Sequence, residues 1–378
     1  MTGPNAPSDP NDPGEPDGPP AGPGPPRGYS RRQYSRRHRL QVAADWLLAV
    51  AGLGIAAWQL APKLGALSDV GGLLARLDWA WLGLAVALGA ASLLAYGDLH
   101  RRFLRSTGTR LGWPTVQAVT AAGNAVSLTI PTAGAAVGAG YTVHALQQRG
   151  VSFVPATWAV AMAGVATGVV FAALAPVALS WAGVVGPVVG VGGSLLLVFL
   201  VPGGWLWLEH GRPGGGTGSP RPRSRLLATV ERRLTDLRHW LGSHRMGVRQ
   251  WTLVLVTALA TWLLDCLALA ACLAATGAGS VPVHAIVLGY LAAQASIMVG
   301  LTPGGTGPAE AGLLAALVGS GAGAADAALA VVLYRLITWI WPAMVGWVLV
   351  LVLAGRGRRQ AAAPVPDETG PAAGDDRA

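Results

Sequence analysis

The sequence predicts an all-α, polytopic integral membrane protein, with about six full spans plus two re-entrant helical hairpins in an inverted-topology repeat. Three observations carry that reading. Hydrophobic residues make up 52% of the 378 positions and charged residues 12%, roughly half the charged share of a soluble domain. What charge there is lies almost entirely in the two tails, one long loop and a few short connections. Between these run apolar stretches that match the ~20 helical residues needed to cross a bilayer.

Taken in order, residues 1–26 are Pro, Gly, Asp and Asn with little to bury, and read as disordered. Arg27 to Arg39 form a basic run, so 1–39 is read as a disordered basic cytoplasmic tail. A signal peptide also begins with positive charge. Here the apolar run starts some forty residues in and lacks a convincing cleavage site, which favours an uncleaved first span. The membrane domain is read as 40–355, with apolar segments near 42–60, 79–97, 115–131, 153–180, 184–208, 251–274, 284–302 and 327–354. A shorter small-residue segment, 309–319, follows the seventh. Residues 209–250 form an arginine-rich loop that suits the anionic inner surface, and 356–378 form a second disordered tail. The net charge of +9 sits beside apolar segments, so it reads as topology signal and lipid contact, with no nucleic-acid partner. Cys266 and Cys272 fall on different faces of one apolar segment and form no metal or disulfide pattern.

Arginine placement orients the segments. The N-terminal cluster, the group Arg101, Arg102, Arg105 and Arg110, the loop 209–250 and Arg356, Arg358 and Arg359 should all be cytoplasmic. Three crossings between Arg110 and Arg212 would end on the wrong side. The conflict vanishes if 115–131 enters, turns at Pro131-Thr132-Ala133-Gly134, and returns as 135–148. In the second half, a turn at Pro303-Gly304-Gly305-Thr306-Gly307 returning as 309–319 repairs the same parity error. The alternative is that both prolines merely kink ordinary spans. With the hairpins, the halves match in inverted orientation. Broken helices at matching points of inverted halves point to a substrate site in a transporter.

Candidate site residues follow from charge inside the membrane, which costs at least ~2.5–3.5 kcal/mol on insertion scales and so faces a partner or a cavity. Glu310 begins the return arm of the second hairpin, and Arg335, next to Tyr334, lies about a third of the way into the last span. They either form a fixed bracing pair, or Arg335 meets a lipid phosphate while Glu310 meets a cationic group. Asp265 sits mid-span as a coupling site, a proton site or a second partner for Arg335. The tip of Pro303, Gly304, Gly305 and Gly307 offers closely spaced N–H groups to a phosphate, although a tight turn would use the same residues. Asn124, Thr129 and Thr132, beside Pro131, could line the opposing wall or simply bond neighbouring helices. Scattered histidines and the lack of a serine–histidine–acid set predict no catalytic residues, no metal, no cofactor and no enzymatic activity.

The stretch Leu301 to Glu310 resembles the proline-glycine-glycine-x-glycine-x-x-glutamate signature of the flippase-like family, also called the lysylphosphatidylglycerol synthase transmembrane region. Leu333 to Trp339, with Trp341 and Gly346, is similar to its tyrosine-arginine-x-x-threonine-tryptophan segment. Asn124 to Pro131, with Gly134 and Leu146 to Gly150, is similar to its first half. Many members carry arginines soon after that proline, where this chain has Ala133, Ala135 and Ala136. The resemblance covers residues 40–355 and implies movement or binding of a phospholipid or lipid-linked substrate across a bacterial-type inner membrane. Both termini would be cytoplasmic and membrane lipids would be the partners. Because the chain ends soon after Leu353, it implies the lipid-handling half without the soluble synthase. The alternative is a non-transporting partner or scaffold of an envelope-lipid enzyme.

Overall fold

The computed structural model describes residues 72, 75–130, 133–210, 246–278, 281–299 and 307–362, with backbone alone at 200–210, 299 and 356–362. Every regular element among them is helical. The predicted first span at 42–60, most of the loop 209–250, the chain beyond Ala362, and Pro131, Thr132, Pro303, Gly304 and Gly305 lie outside the described residues.

Helix α1, Trp79–Ser106, begins where the Asp78 carboxylate accepts the Ala80 and Trp81 amides, closing its first turn. It runs past the predicted end at 97. Asp98 takes Arg102 at 2.8 Å and Arg101 at 3.4 Å one turn on, so the basic group extends the helix instead of ending it. Helix α2, Trp113–Thr129, has Pro114 in its first turn, and α3, Gly134–Gln147, follows a break. A β-carbon on Gly134 would collide with the Ser127 carbonyl, and one on Gly138 with the Gly123 carbonyl. The arms therefore run antiparallel in close contact, a geometry that small residues permit.

Helix α4, Phe153–Trp181, contains Pro176, and α5, Pro187–His210, folds back along it, with Ser194 Oγ donating to the Ala173 carbonyl at 2.6 Å. Helix α6, Val248–Ala275, lies antiparallel to α1: the Asp78 amide bonds the Ala275 carbonyl at 3.0 Å and Ser92 Oγ the Thr261 carbonyl at 2.9 Å. Helices α7, Val283–Val299, and α8, Pro308–Gly319, make a second folded-back pair, in which Gly289 meets Leu313 and Ala316. The last element is continuous: α9, Ala324–Arg335, a π-helical turn Leu336–Ile340, and α10, Trp341–Ala362. It extends past the predicted boundary at 355 through Arg, Gln and Ala, which favour helix, despite Gly357, with no proline before Pro364.

Four helices among the described residues are long and apolar enough to cross a membrane: Trp79–Ser106, Phe153–Trp181, Val248–Ala275 and Ala324–Gly355. At ~1.5 Å per residue each exceeds the ~30 Å hydrocarbon thickness. Large apolar side chains such as Leu84, Phe153, Val256 and Val348 are exposed on their outer surfaces, as lipid contact requires. The predicted span at 184–208 is α5, a 24-residue helix.

The two halves repeat at a nearly fixed offset. Helices α1 and α6 both have 28 residues and start at 79 and 248, a shift of 169. The starts of α2 and α7 (113 and 283) differ by 170, those of α3 and α8 (134 and 308) by 174, and those of α4 and α9 (153 and 324) by 171. Contacts repeat as well. Helix α1 touches α4 as α6 touches α9; α2 touches α10 as α7 touches α4; α4 touches α6 as the π turn touches α1. Ser92 and Thr261, bonded to each other, stand 169 apart in antiparallel helices, so they mark the axis of the repeat.

The tightest crossing beside that axis is α10 on α2, where a β-carbon on Gly346 would strike the Ala121 carbonyl and the Ala125 methyl. Gly346→Leu is expected to cost about 1–3 kcal/mol by overpacking. Gly140→Ala, in open space, should leave stability unchanged or slightly raised. Thermal unfolding of the purified chain checks both.

Candidate functional site

A cavity of about 300 Å³ sits on the repeat axis, and its walls come in equivalent pairs from the two halves. Ser92 faces Thr261 and Tyr96 corresponds to Asp265, each 169 apart; Asn124 corresponds to Gln294 and Leu128 to Met298, each 170 apart; Thr167 corresponds to Thr338, 171 apart. All ten residues line the one space.

Asp265 organises the second-half wall. Tyr290 and Tyr334 hydroxyls donate to its Oδ2 at 2.9 Å each, and Gln294 Nε2 at 2.8 Å. One helix, α6, is thereby tied to α7 and α9. Three donors on one oxygen fill its acceptor capacity. The other oxygen, Oδ1, accepts from no side chain among the described residues, although Asp265 lines the cavity. Asn124 and Tyr96 likewise line it with no hydrogen bond from their side-chain polar atoms among those residues. Trp339 is buried, yet its indole N–H finds no acceptor there. Unpaired polar groups in a low-dielectric interior are costly. Of these, Asp265, Asn124 and Tyr96 share one space.

Beside this wall, Arg335 Nε donates to Glu310 Oε1 at 3.0 Å, and the guanidinium carbon lies 5.4 Å from the Trp339 ring centroid. Helix α8 is thus fastened to α9 close to the break before Gly307, whose φ of +93° is open to glycine. Glu310 faces a small space of about 10 Å³ behind Arg335, whereas Arg335 itself also lines the main cavity.

Of the residues singled out from sequence, Asn124, Asp265, Tyr334 and Arg335 come together on the cavity, with Glu310 one contact behind and Gly307 at the head of its helix. Thr129 bonds back to the Ala125 carbonyl of its own helix at 2.9 Å. Pro131, Thr132, Pro303, Gly304 and Gly305 lie outside the described residues. Sequence reasoning missed Ser92, Tyr96, Thr167, Tyr290, Gln294, Thr338 and Trp339. The constant offset could have found several, since it sets Asn124 on Gln294 and Thr167 on Thr338.

Residues 46–346 match the family described as the lysylphosphatidylglycerol synthase TM region, which spans the whole of this site. The chain belongs to that family. Among curated proteins none matches the sequence. Membership makes this a multi-pass membrane domain of a family associated with lipid handling.

Removing one member of a largely buried ion pair costs roughly 3–5 kcal/mol. Glu310→Ala and Arg335→Ala should each lower thermal stability by an amount in that range, and the double substitution by clearly less than their sum. A double-mutant cycle on unfolding midpoints checks the coupling.

Proposed function

We propose that this protein moves a phospholipid or lipid-linked substrate between the leaflets of a bacterial-type inner membrane. The head group would pass through the cavity on the repeat axis. One observation carries the reading: Asp265, Tyr96 and Asn124, drawn from both halves, line one space, and Asp265 Oδ1 and the side-chain polar atoms of Tyr96 and Asn124 have no protein partner among the described residues. Moving a head group across ~30 Å of hydrocarbon is slow because its polar groups must leave water. A wall that supplies both acceptors and donors replaces those lost bonds. The arrangement of donors and acceptors suits a head group carrying both signs, with an ammonium or hydroxyl toward Asp265 Oδ1 and phosphate oxygens toward the Asn124 amide and Arg335.

In this reading the two folded-back pairs, α2–α3 and α7–α8, are re-entrant hairpins entering from opposite faces. The protein has six spans, counting 42–60 and α5, and both termini are cytoplasmic. The closely repeated contacts of the halves support inverted topology, and inverted repeats with broken helices are a recurring transporter plan. The cycle makes and breaks no covalent bond, so the protein acts as a carrier and needs no cofactor.

The test is reconstitution of the purified chain into vesicles with head-group-labelled phosphatidylglycerol and aminoacylated phosphatidylglycerol, read by leaflet-specific quenching. Asp265→Asn keeps an acceptor for Tyr290, Gln294 and Tyr334 while removing charge from the cavity. A charge-assisted hydrogen bond of ~1.5–3 kcal/mol corresponds to roughly a tenfold to hundredfold loss of exchange rate at unchanged stability. Lipid binding without faster exchange in the unsubstituted protein would instead favour a partner role beside an envelope-lipid enzyme.

A further inference from the structure

The cavity adjoins a second space of different chemistry. Between α1 and the π turn with α10 lies an apolar groove of about 420 Å³, walled by Val86, Ala90 and Leu94 on one side and Ile340 and Met344 on the other. Gly89, Leu93 and Pro342 line both spaces, so the groove and the polar cavity meet along that sill. At the sill the helices come close, since a β-carbon on Gly89 would lie 2.8 Å from Ile337 Cγ2. Leu94, at 43% exposed, and Met344, at 42%, place the outer lips on the apolar surface of two spanning helices.

The repeat shows that this opening is not a necessity of the backbone. The equivalent seam in the other half lies between α6 and α4, where the counterparts of Leu93 and Pro342 are Trp262 (169 on) and Phe171 (171 back). There the two aromatic rings stand 4.9 Å apart, and the Trp262 indole N–H donates to the Thr167 carbonyl at 2.9 Å. That seam is plugged by two rings and a hydrogen bond. The α1–α10 seam has a leucine and a proline at the same places and stays open.

The geometry points to the α1–α10 groove as the binding site of a phospholipid acyl chain, held while the head group occupies the adjoining polar cavity. This deepens the proposed function and rests on it for the head group. The occupant follows from continuity: a molecule that is polar where it meets Asp265 and Asn124, and apolar where it passes Leu93 into a groove open to hydrocarbon, is an amphiphile. A π turn in the wall of the groove fits this role, because such turns recur at functional sites. The volume falls within the usual range of ligand pockets, ~300–1,000 Å³.

The full chain, reconstituted in phosphatidylglycerol–phosphatidylethanolamine vesicles, would receive phosphatidylglycerol carrying a diazirine midway along one acyl chain. After irradiation, adducts are mapped by mass spectrometry. They are expected to concentrate on residues 86–94 and 336–345, and Ala90→Trp, which fills the groove from its outer side, should reduce them about tenfold. Leu267→Trp, an exposed lipid-facing position on α6, should leave them unchanged. If Ala90→Trp does not fold, Val86→Trp fills the same groove. Adducts spread over every span in proportion to exposed apolar surface, or undiminished in the filled variants, overturn the assignment. So does a cross-link from Leu94→Cys that shows another segment of this chain occupying the groove. Seam-specific labelling without lipid exchange would sink the transport reading and keep the groove. Asp265-dependent exchange with scattered labelling would do the reverse.

Discussion

A carboxylate and a guanidinium placed among membrane-spanning helices must be held by protein, and that requirement organises the second half of the molecule. Asp265, Glu310 and Arg335 come from three different helices. Tyr290, Gln294 and Tyr334 surround the first, while the other two bond each other. Each contact joins two different helices, and the Tyr334–Asp265 bond spans 69 residues, so the polar groups fix how α6, α7, α8 and α9 sit together. Apolar contact alone specifies this poorly in a bilayer, where lipid tails are as apolar as leucine. The first half lacks these charges and relies instead on close backbone approach at Gly123, Gly134 and Gly138.

The same polar groups that brace the fold also line its polar cavity. Asp265 spends one oxygen on structure and itself lines the cavity; Arg335 is fastened to Glu310 and still forms part of the wall. Under the proposed function structure and recognition share residues, so a substitution that abolishes lipid exchange is informative only when stability is measured beside it. Conservative changes such as carboxylate to amide separate the roles, because the amide oxygen can still accept from the tyrosines.

Much of the fold was legible in the sequence because the membrane allows few solutions. Apolar length marked the four helices long enough to cross a membrane, and the prolines at 131 and 303 marked two breaks; α2 runs to Thr129 and α7 to Val299, with the next helices starting at Gly134 and Pro308. Asp265, Glu310 and Arg335 stood out because charge is rare in such segments. What was not legible depends on register between distant helices. Gln294 carries no signal in its own stretch of sequence, and Thr338, though it falls in the family-like segment, does not show there that it lines a cavity. Both gain that meaning when a fixed offset near 170 lays one half over the other and sets them on Asn124 and Thr167. The length of α1 was missed for a local reason: Asp98 pairs with Arg101 and Arg102 within the helix, so a cluster that signals topology is also a stable helical turn.

The two halves share a backbone plan but not its side chains, and the differences all lean one way. Where the second half has Glu310 and Arg335, the equivalent positions of the first are Ala136 and Gly164. Where one seam holds Phe171 and Trp262, the other holds Pro342 and Leu93. A symmetric pair of inverted halves would have two conformations of equal energy, exchanging the roles of its seams. An ion pair and an aromatic plug present on one side only remove that degeneracy. They stabilise the arrangement in which α8 is fastened to α9 and the α4–α6 seam is shut. A lipid that favours the opposite arrangement must then supply, through differential contacts, at least the free energy of that bias. Under the proposed function, the rate of exchange would then depend on how strongly the head group competes for Asp265 and Arg335, not on the width of the cavity alone.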